Sequence, residues 1–340
     1  MAAPRVRKPF TRTGAQTAPS EDAAAEATSP EAEDEPQVIQ RETGPEWERR
    51  TTRMRRAVAA KLPRRLQNPS TLMVRTMTGS IYVALTVICV LVSDVTTALY
   101  LSLLSAICAG EFYYMLRSDA KLPNEFLGTC AAALFPLVMW LFGVMGVAAT
   151  FVVFVLVLLV WYVFWQPARI ADVAVSLFGA VYTGVIMSTA MILRVSLPEP
   201  WGGVLLLGLF VSVWANDAFA YLVGSAIGKH KLAPHISPKK SWEGFIAGLL
   251  FAMAFWCLLT FIPGVQMSIP QALVFGLING LSGVLGDLVE SRIKRNSGFK
   301  DSGTIMPGHG GLLDRCDSQF LVTLTGAFLL IMGGCVPYAF

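Results

Sequence analysis

From residue 72 onward the chain consists of long apolar runs separated by short polar connections. A bilayer hydrocarbon core about 30 Å thick takes roughly 20 apolar residues of helix. Nine runs meet that length: 72–93, 95–116, 126–145, 147–165, 172–194, 201–223, 244–263, 269–290 and 318–338. Internal Pro136 and Gly184 are compatible with this, because membrane helices tolerate such residues. The pattern predicts an all-α, polytopic membrane helical bundle of about nine transmembrane helices over residues 71–340. Residues 1–70 read differently. Their Ala, Glu, Pro, Ser and Thr content predicts disorder, followed by a basic cluster from Arg49 to Arg65. Basic clusters before a membrane span attract anionic headgroups or fix topology.

Charge then orients the bundle. With the N-terminus in the cytosol, the inner connections carry Arg117, Lys121, Arg169, Lys229, Lys231, Lys239, Lys240, Arg292, Lys294, Arg295, Lys300 and Arg315, and the outer ones only Arg194. That is the positive-inside asymmetry. The two long inner connections, about 224–243 and 291–317, place any chemistry on the cytosolic face. Charged residues make up 15% of the chain and apolar residues 54%, whereas soluble domains carry about a quarter charged. No secretory signal peptide opens the sequence. The six cysteines form no CxxC pair, so neither a zinc site nor a disulfide framework is expected.

Candidate chemistry clusters at the inner ends of three runs. Asp217 lies inside the sixth, next to Asn216 and near Tyr221. A carboxylate at mid-membrane costs about 2.5–3.5 kcal/mol, and such acids are usually functional. At the end of the eighth, Asp287, Glu290, Ser291 and Lys294 follow helical spacing and share one face. Then come Lys300, Asp301, Pro307, His309, Gly310, Gly311, Asp314, Arg315 and Asp317. Glycines around His309 permit a tight turn whose backbone N–H groups suit an anion. Carboxylates without Cys or His partners suit a hard cation such as Mg²⁺. In the other long connection, Ser237 as N-cap and Pro238 at N1 predict a helix start. Lys239 and Lys240 would then sit in its first turn, a place that calls for a bound anion. Ser241 and Glu243 follow.

The order Ser291, Lys294-Arg295, Lys300-Asp301, Pro307-x-His309-Gly310-Gly311, Asp314-Arg315-x-Asp317 closely resembles the signature of the phosphatidate cytidylyltransferase (CDP-diacylglycerol synthase) family. Met306 and Cys316 stand where the family has more usual aliphatic residues. Asn216 to Tyr221 and Ser237 to Gly244 are also similar to that family, so the resemblance spans roughly 72–340. It implies transfer of CMP from CTP to phosphatidic acid, giving CDP-diacylglycerol and pyrophosphate for phospholipid biosynthesis. It implies Mg²⁺ held by Asp287, Ser291, Asp314 and Asp317, and allows a second, monovalent cation such as K⁺. Catalytic roles fall to Asp287, Asp314, Asp317, Lys294, Arg295, Lys300, Asp301, His309 and Arg315. Substrate binding falls to Asn216, Asp217, Tyr221, Ser237, Lys239, Lys240, Ser241, Glu243, Gly310 and Gly311. The expected partners are CTP, phosphatidic acid and membrane lipids, with room for a homodimer and no nucleic acid. A bacterial plasma membrane is the favoured location. A CTP-dependent polyprenol kinase and a membrane transporter are the competing readings. The Asp-Gly-x-x-Ala-Arg motif of CDP-alcohol phosphotransferases is missing, and no Walker A or Rossmann fingerprint appears.

Overall fold

A computed structural model describes residues 71–117, 122–233 and 237–337. The expected basic tail lies outside these residues. The described chain is helical almost throughout: α1 (Thr71–Val92), α2 (Asp94–Leu116), α3 (Glu125–Phe164), α4 (Ile170–Ala180), α5 (Ile186–Val195), α6 (Trp201–Ile227), α7 (Trp242–Leu259), α8 (Ile269–Asn296) and α9 (Leu313–Met332). A π-turn, Val181–Val185, joins α4 to α5, so the two run as one segment. Among the described residues, eight helical segments are long and apolar enough to cross a membrane. The protein is an all-α, polytopic membrane protein.

Nine runs were expected, and the difference lies in α3. Its 40 residues cover two expected runs without a polar connection. At Gly143 the backbone takes φ 63° and ψ −158°, a region open essentially to glycine alone. A Cβ at Gly146 would lie 2.9 Å from Val138 Cγ1, eight residues earlier. In a straight helix that spacing is about 12 Å, so the chain bends sharply there. The parts on either side, 125–142 and 144–164, are about 27 and 32 Å long at 1.5 Å per residue.

Capping fixes several helix starts. Ser93 and Thr96 form a capping box at α2, and Ser268 and Gln271 do the same at α8. Asn124 accepts from Leu127 N at the start of α3. Among the described residues the one β sheet is a hairpin, β1 (Lys231–Ala233) against antiparallel β2 (Ser237–Ser241), with Lys231 opposite Ser241 and Ala233 opposite Ser237. The expected helix start at Ser237 is therefore overturned. Residues 237–241 are strand, and Ser241 caps α7 by accepting from Gly244 N. Lys239 and Lys240 precede the helix instead of opposing its dipole.

Two apolar cores hold the bundle. One gathers Phe112, Tyr113, Phe135, Phe210 and Phe320 from α2, α3, α6 and α9. The other gathers Leu193, Leu205, Leu209, Trp256 and Leu330. Outward positions stay apolar as well: Phe126, Met145, Phe164 and Met332 are largely exposed, a surface matched to lipid. Arg194 is buried and held on three sides. Its Nη1 meets Asp94 Oδ1 at 2.5 Å, its Nη2 meets Glu199 Oε1 at 3.0 Å, and its Nε donates to Val90 O at 3.2 Å. This pairing meets the cost of charge at such a site and ties the α1–α2 corner to the end of α5.

Candidate active site

The acidic face is assembled by a close helix crossing. A Cβ at Gly286 would lie 2.6 Å from Asp317 O, so α8 and α9 touch backbone to backbone there. The next residue on α8 is Asp287, and Asp317 itself is on α9. Asp317 lies within electrostatic reach of Asp287, Glu290 and Asp217. Asp217, on α6, lies within reach of Asp287, Lys240 and Arg315. Asp287 Oδ2 pairs with Lys240 of the hairpin, and Oδ1 accepts from Ser291 Oγ at 3.0 Å. Three carboxylates from three helices thus share one region with two cationic side chains.

Asp314 belongs to a second, buried set. Its Oδ1 accepts from Lys294 Nζ at 2.5 Å. Its Oδ2 accepts from Ser302 N at 2.9 Å, Ser302 Oγ at 3.0 Å and Gly311 N at 2.8 Å. Lys294 also pairs with the fully buried Glu290. Buried Glu111 of α2 completes the set, accepting from Leu312 N at 3.1 Å, Leu313 N at 2.8 Å and Ser302 Oγ at 3.0 Å. These N–H groups open α9, where carboxylates are favoured.

Both oxygens of Asp314 are hydrogen-bonded to Lys294, Ser302 and Gly311, and Lys294 links Asp314 to Glu290, which lies within electrostatic reach of Asp317. The backbone N–H groups of Gly311, Leu312 and Leu313 cradle Asp314 and Glu111. Among the described residues, no three His, Cys, Asp or Glu side chains already surround one point as metal ligands.

The turn carrying His309 is closed by Met306 N to Gly310 O at 3.0 Å and His309 N to Met306 O at 2.9 Å. Gly308 and Gly310 have φ of 79° and 88°, the tight turn the glycines predicted. Arg315 Nη2 donates to His309 O at 3.2 Å, and Arg75 Nε of α1 donates to Gly308 O at 2.8 Å. His309 Nδ1 lies 2.8 Å from Thr78 Oγ1. Partial burial, then the charges of Arg315 and Arg75, hold the imidazole below the usual histidine range. This environment favours the neutral ring.

Residues 73–332 match the model of the cytidylyltransferase family. The chain belongs to the cytidylyltransferase family. It is 34% identical over 259 residues to "Phosphatidate cytidylyltransferase 5, chloroplastic" of Arabidopsis thaliana, covering 66% of this chain and 63% of that one. It is 46% identical over 124 residues to a phosphatidate cytidylyltransferase of Staphylococcus haemolyticus, covering 36% and 48%. A phosphatidate cytidylyltransferase of Staphylococcus aureus (strain COL) is 48% identical over 122 residues, covering 36% and 47%. The matched stretches span about half to under two thirds of these relatives' lengths.

Within this cytidylyltransferase the remaining sequence-derived residues divide by location. Arg295, Lys300 and Asp301 are exposed around the loop, and Arg295 Nη1 donates to Phe299 O at 3.1 Å. Tyr221 is exposed on α6, four residues beyond Asp217. Ser237 and Lys239 lie on β2. Ser241 is buried as the α7 cap, and Glu243 is bound at 2.7 Å to His230 Nδ1. Asn216 is also buried. A Cβ at Gly248 would lie 2.6 Å from its Oδ1 and one at Gly283 would lie 3.9 Å from its Nδ2, which places Asn216 where α6 meets α7 and α8, one turn before Asp287 on α8.

Sequence reasoning passed over Glu111, Ser302, Arg75 and His230. Only Glu111 gave a signal, as an acid inside an apolar run, the criterion that selected Asp217.

Proposed function

We propose that this cytidylyltransferase transfers CMP from CTP to phosphatidic acid, giving CDP-diacylglycerol and pyrophosphate in an Mg²⁺-dependent reaction at the cytosolic face of the membrane. The observation that carries the reading is the convergence of Asp217, Asp287 and Asp317 beside Lys240 and Arg315. The relatives' names agree with it.

The donor set fits the ion. Mg²⁺ is commonly held by one or two carboxylates together with substrate phosphates, so a ready-made protein cage is not needed. Asp287 and Asp317 would hold it, with Asp217 close by. Lys240 now balances Asp287 and would turn to phosphate when the ion binds. When bound, Mg²⁺ would supply charge stabilisation at the phosphates.

The chain's own part is positioning and charge. A phosphatidate oxygen attacks the α-phosphorus of CTP in line, and the bond to the bridging oxygen of pyrophosphate breaks. The attacking phosphate is already ionised, so no general base is required. Lys240 and Arg315 border the acids and offset phosphate charge, with Lys239, Lys300 and Arg295 exposed nearby. The buried Lys294 is committed to Glu290 and Asp314 and supports the loop.

Purified protein with CTP labelled at the α-phosphate, phosphatidic acid and Mg²⁺ tests the reading. Label should enter the lipid fraction as pyrophosphate is released. Release of CDP with terminal phosphoryl transfer would instead establish a lipid kinase. Lipid flux without CTP consumption would establish a transporter.

A further inference from the structure

A groove of about 560 Å³ runs along the outside of α1 beneath the signature turn, lined by Arg75, Thr76, Gly79, Ser80, Val83, Ala84 and His309. The α1 residues form two adjacent i, i+4 rows, 75–79–83 and 76–80–84, which share one helix face. Their chemistry changes along the rows. Arg75 and Thr76 are polar, Gly79 and Ser80 are small, and Val83 and Ala84 are apolar. From Arg75 to Ala84 the rise is about 13 Å, so a charged mouth leads into an apolar floor at membrane depth. Among the described residues, no carboxylate lines the groove.

A basic residue at a helix end often only anchors the helix at the interface. Arg75 does more, because its Nε is fixed on Gly308 O at 2.8 Å, inside the turn that carries His309. The Thr78–His309 contact at 2.8 Å pins the same turn to α1. His309 O is in turn held by Arg315, which is within electrostatic reach of Asp217. The groove mouth therefore adjoins the acidic face through a single turn.

We propose that this groove is the docking site of the acceptor phospholipid, with the phosphate at Arg75 and His309 and an acyl chain along Gly79, Ser80, Val83 and Ala84. The inference rests on the cytidylyltransferase reading and adds to it where the lipid enters. Arginine suits a phosphate monoester, and small side chains leave room for the glycerol and the chain. A choline headgroup would call for aromatic faces or acids, and the described residues lining the groove offer neither. Arg75 thus selects an anionic headgroup before CTP is engaged.

The test uses the full chain in phosphatidylcholine vesicles without CTP. A phosphatidate carrying a photoreactive group in its acyl chain should label residues 73–84, and unlabelled phosphatidate should compete. Labelling should fall about tenfold in Arg75→Gln, the effect of losing one charged hydrogen bond. In turnover assays Arg75→Gln should raise KM for phosphatidate by about the same factor, leaving KM for CTP unchanged. Ala84→Trp, at an exposed position, fills the floor without changing charge and should reduce labelling equally. Equal labelling by a phosphatidylcholine probe would mean a bulk-lipid surface and overturn the proposal. Competition by inorganic phosphate alone, or loss confined to kcat, would also overturn it. If wild-type protein labels at α1 yet makes no CDP-lipid, the cytidylyltransferase reading fails while the groove stands.

Discussion

Asp287 shares its oxygens with one lysine and one serine, whereas Asp314 gives both of its own to four donors. The same side chain thus has two roles, and substitution should separate them. Asp287→Asn should leave the fold intact and reduce turnover by a factor of at least about 10³, the scale of losing a main electrostatic group. Asp314→Asn removes one partner of a buried ion pair and should cost about 3 kcal/mol of stability. Thermal unfolding in detergent, measured beside turnover, distinguishes the two. His309 gives a pH signature. Its pKa is lowered in the fold, so the unfolded chain binds more protons between the folded value and the ordinary one. Stability from this group is complete above the ordinary histidine pKa and is lost as pH falls through that window. His309→Gln should flatten the dependence of the unfolding midpoint as pH falls below the ordinary histidine value of about 6.5. The order of acids and glycines from Ser291 to Asp317 was legible because it is local. Glu111 escaped notice as a site residue because its partner Ser302 lies 191 residues away in sequence.

Among elements, the close α8–α9 crossing determines whether the acids meet. Gly286→Ala would place a methyl 2.6 Å from a backbone oxygen that cannot swing aside. Overpacking of this kind costs about 1–3 kcal/mol. The expected result is a modest drop in thermal stability and a larger drop in turnover, because Asp287 and Asp317 move apart together. The apolar runs were read correctly as helices, since length and hydropathy decide them. The break in α3 falls at Gly143, close to the boundary between the runs 126–145 and 147–165, although no polar connection marks it and only the glycine's dihedrals show its form. The β hairpin was missed for a related reason. Ser237-Pro238 is a sound helix start in isolation, but pairing with Lys231–Ala233 prevails, and only tertiary structure shows that partner.

At the scale of the whole molecule, the charge asymmetry and the site make one prediction about topology. Cysteines introduced at Lys239 and Lys300 should react with a membrane-impermeant maleimide only in inside-out vesicles. One at Gln266, in the α7–α8 connection, should react only in right-side-out vesicles. Labelling of all three from one side would refute the orientation. The carboxylates that fill the signature turn have a further consequence. Glu111 and Asp314 hold the start of α9 before any nucleotide arrives, so binding need not spend free energy on ordering that turn. The loop is a prebuilt wall, and the mobile parts of the reaction are left to the lysine on Asp287 and to the reactants themselves.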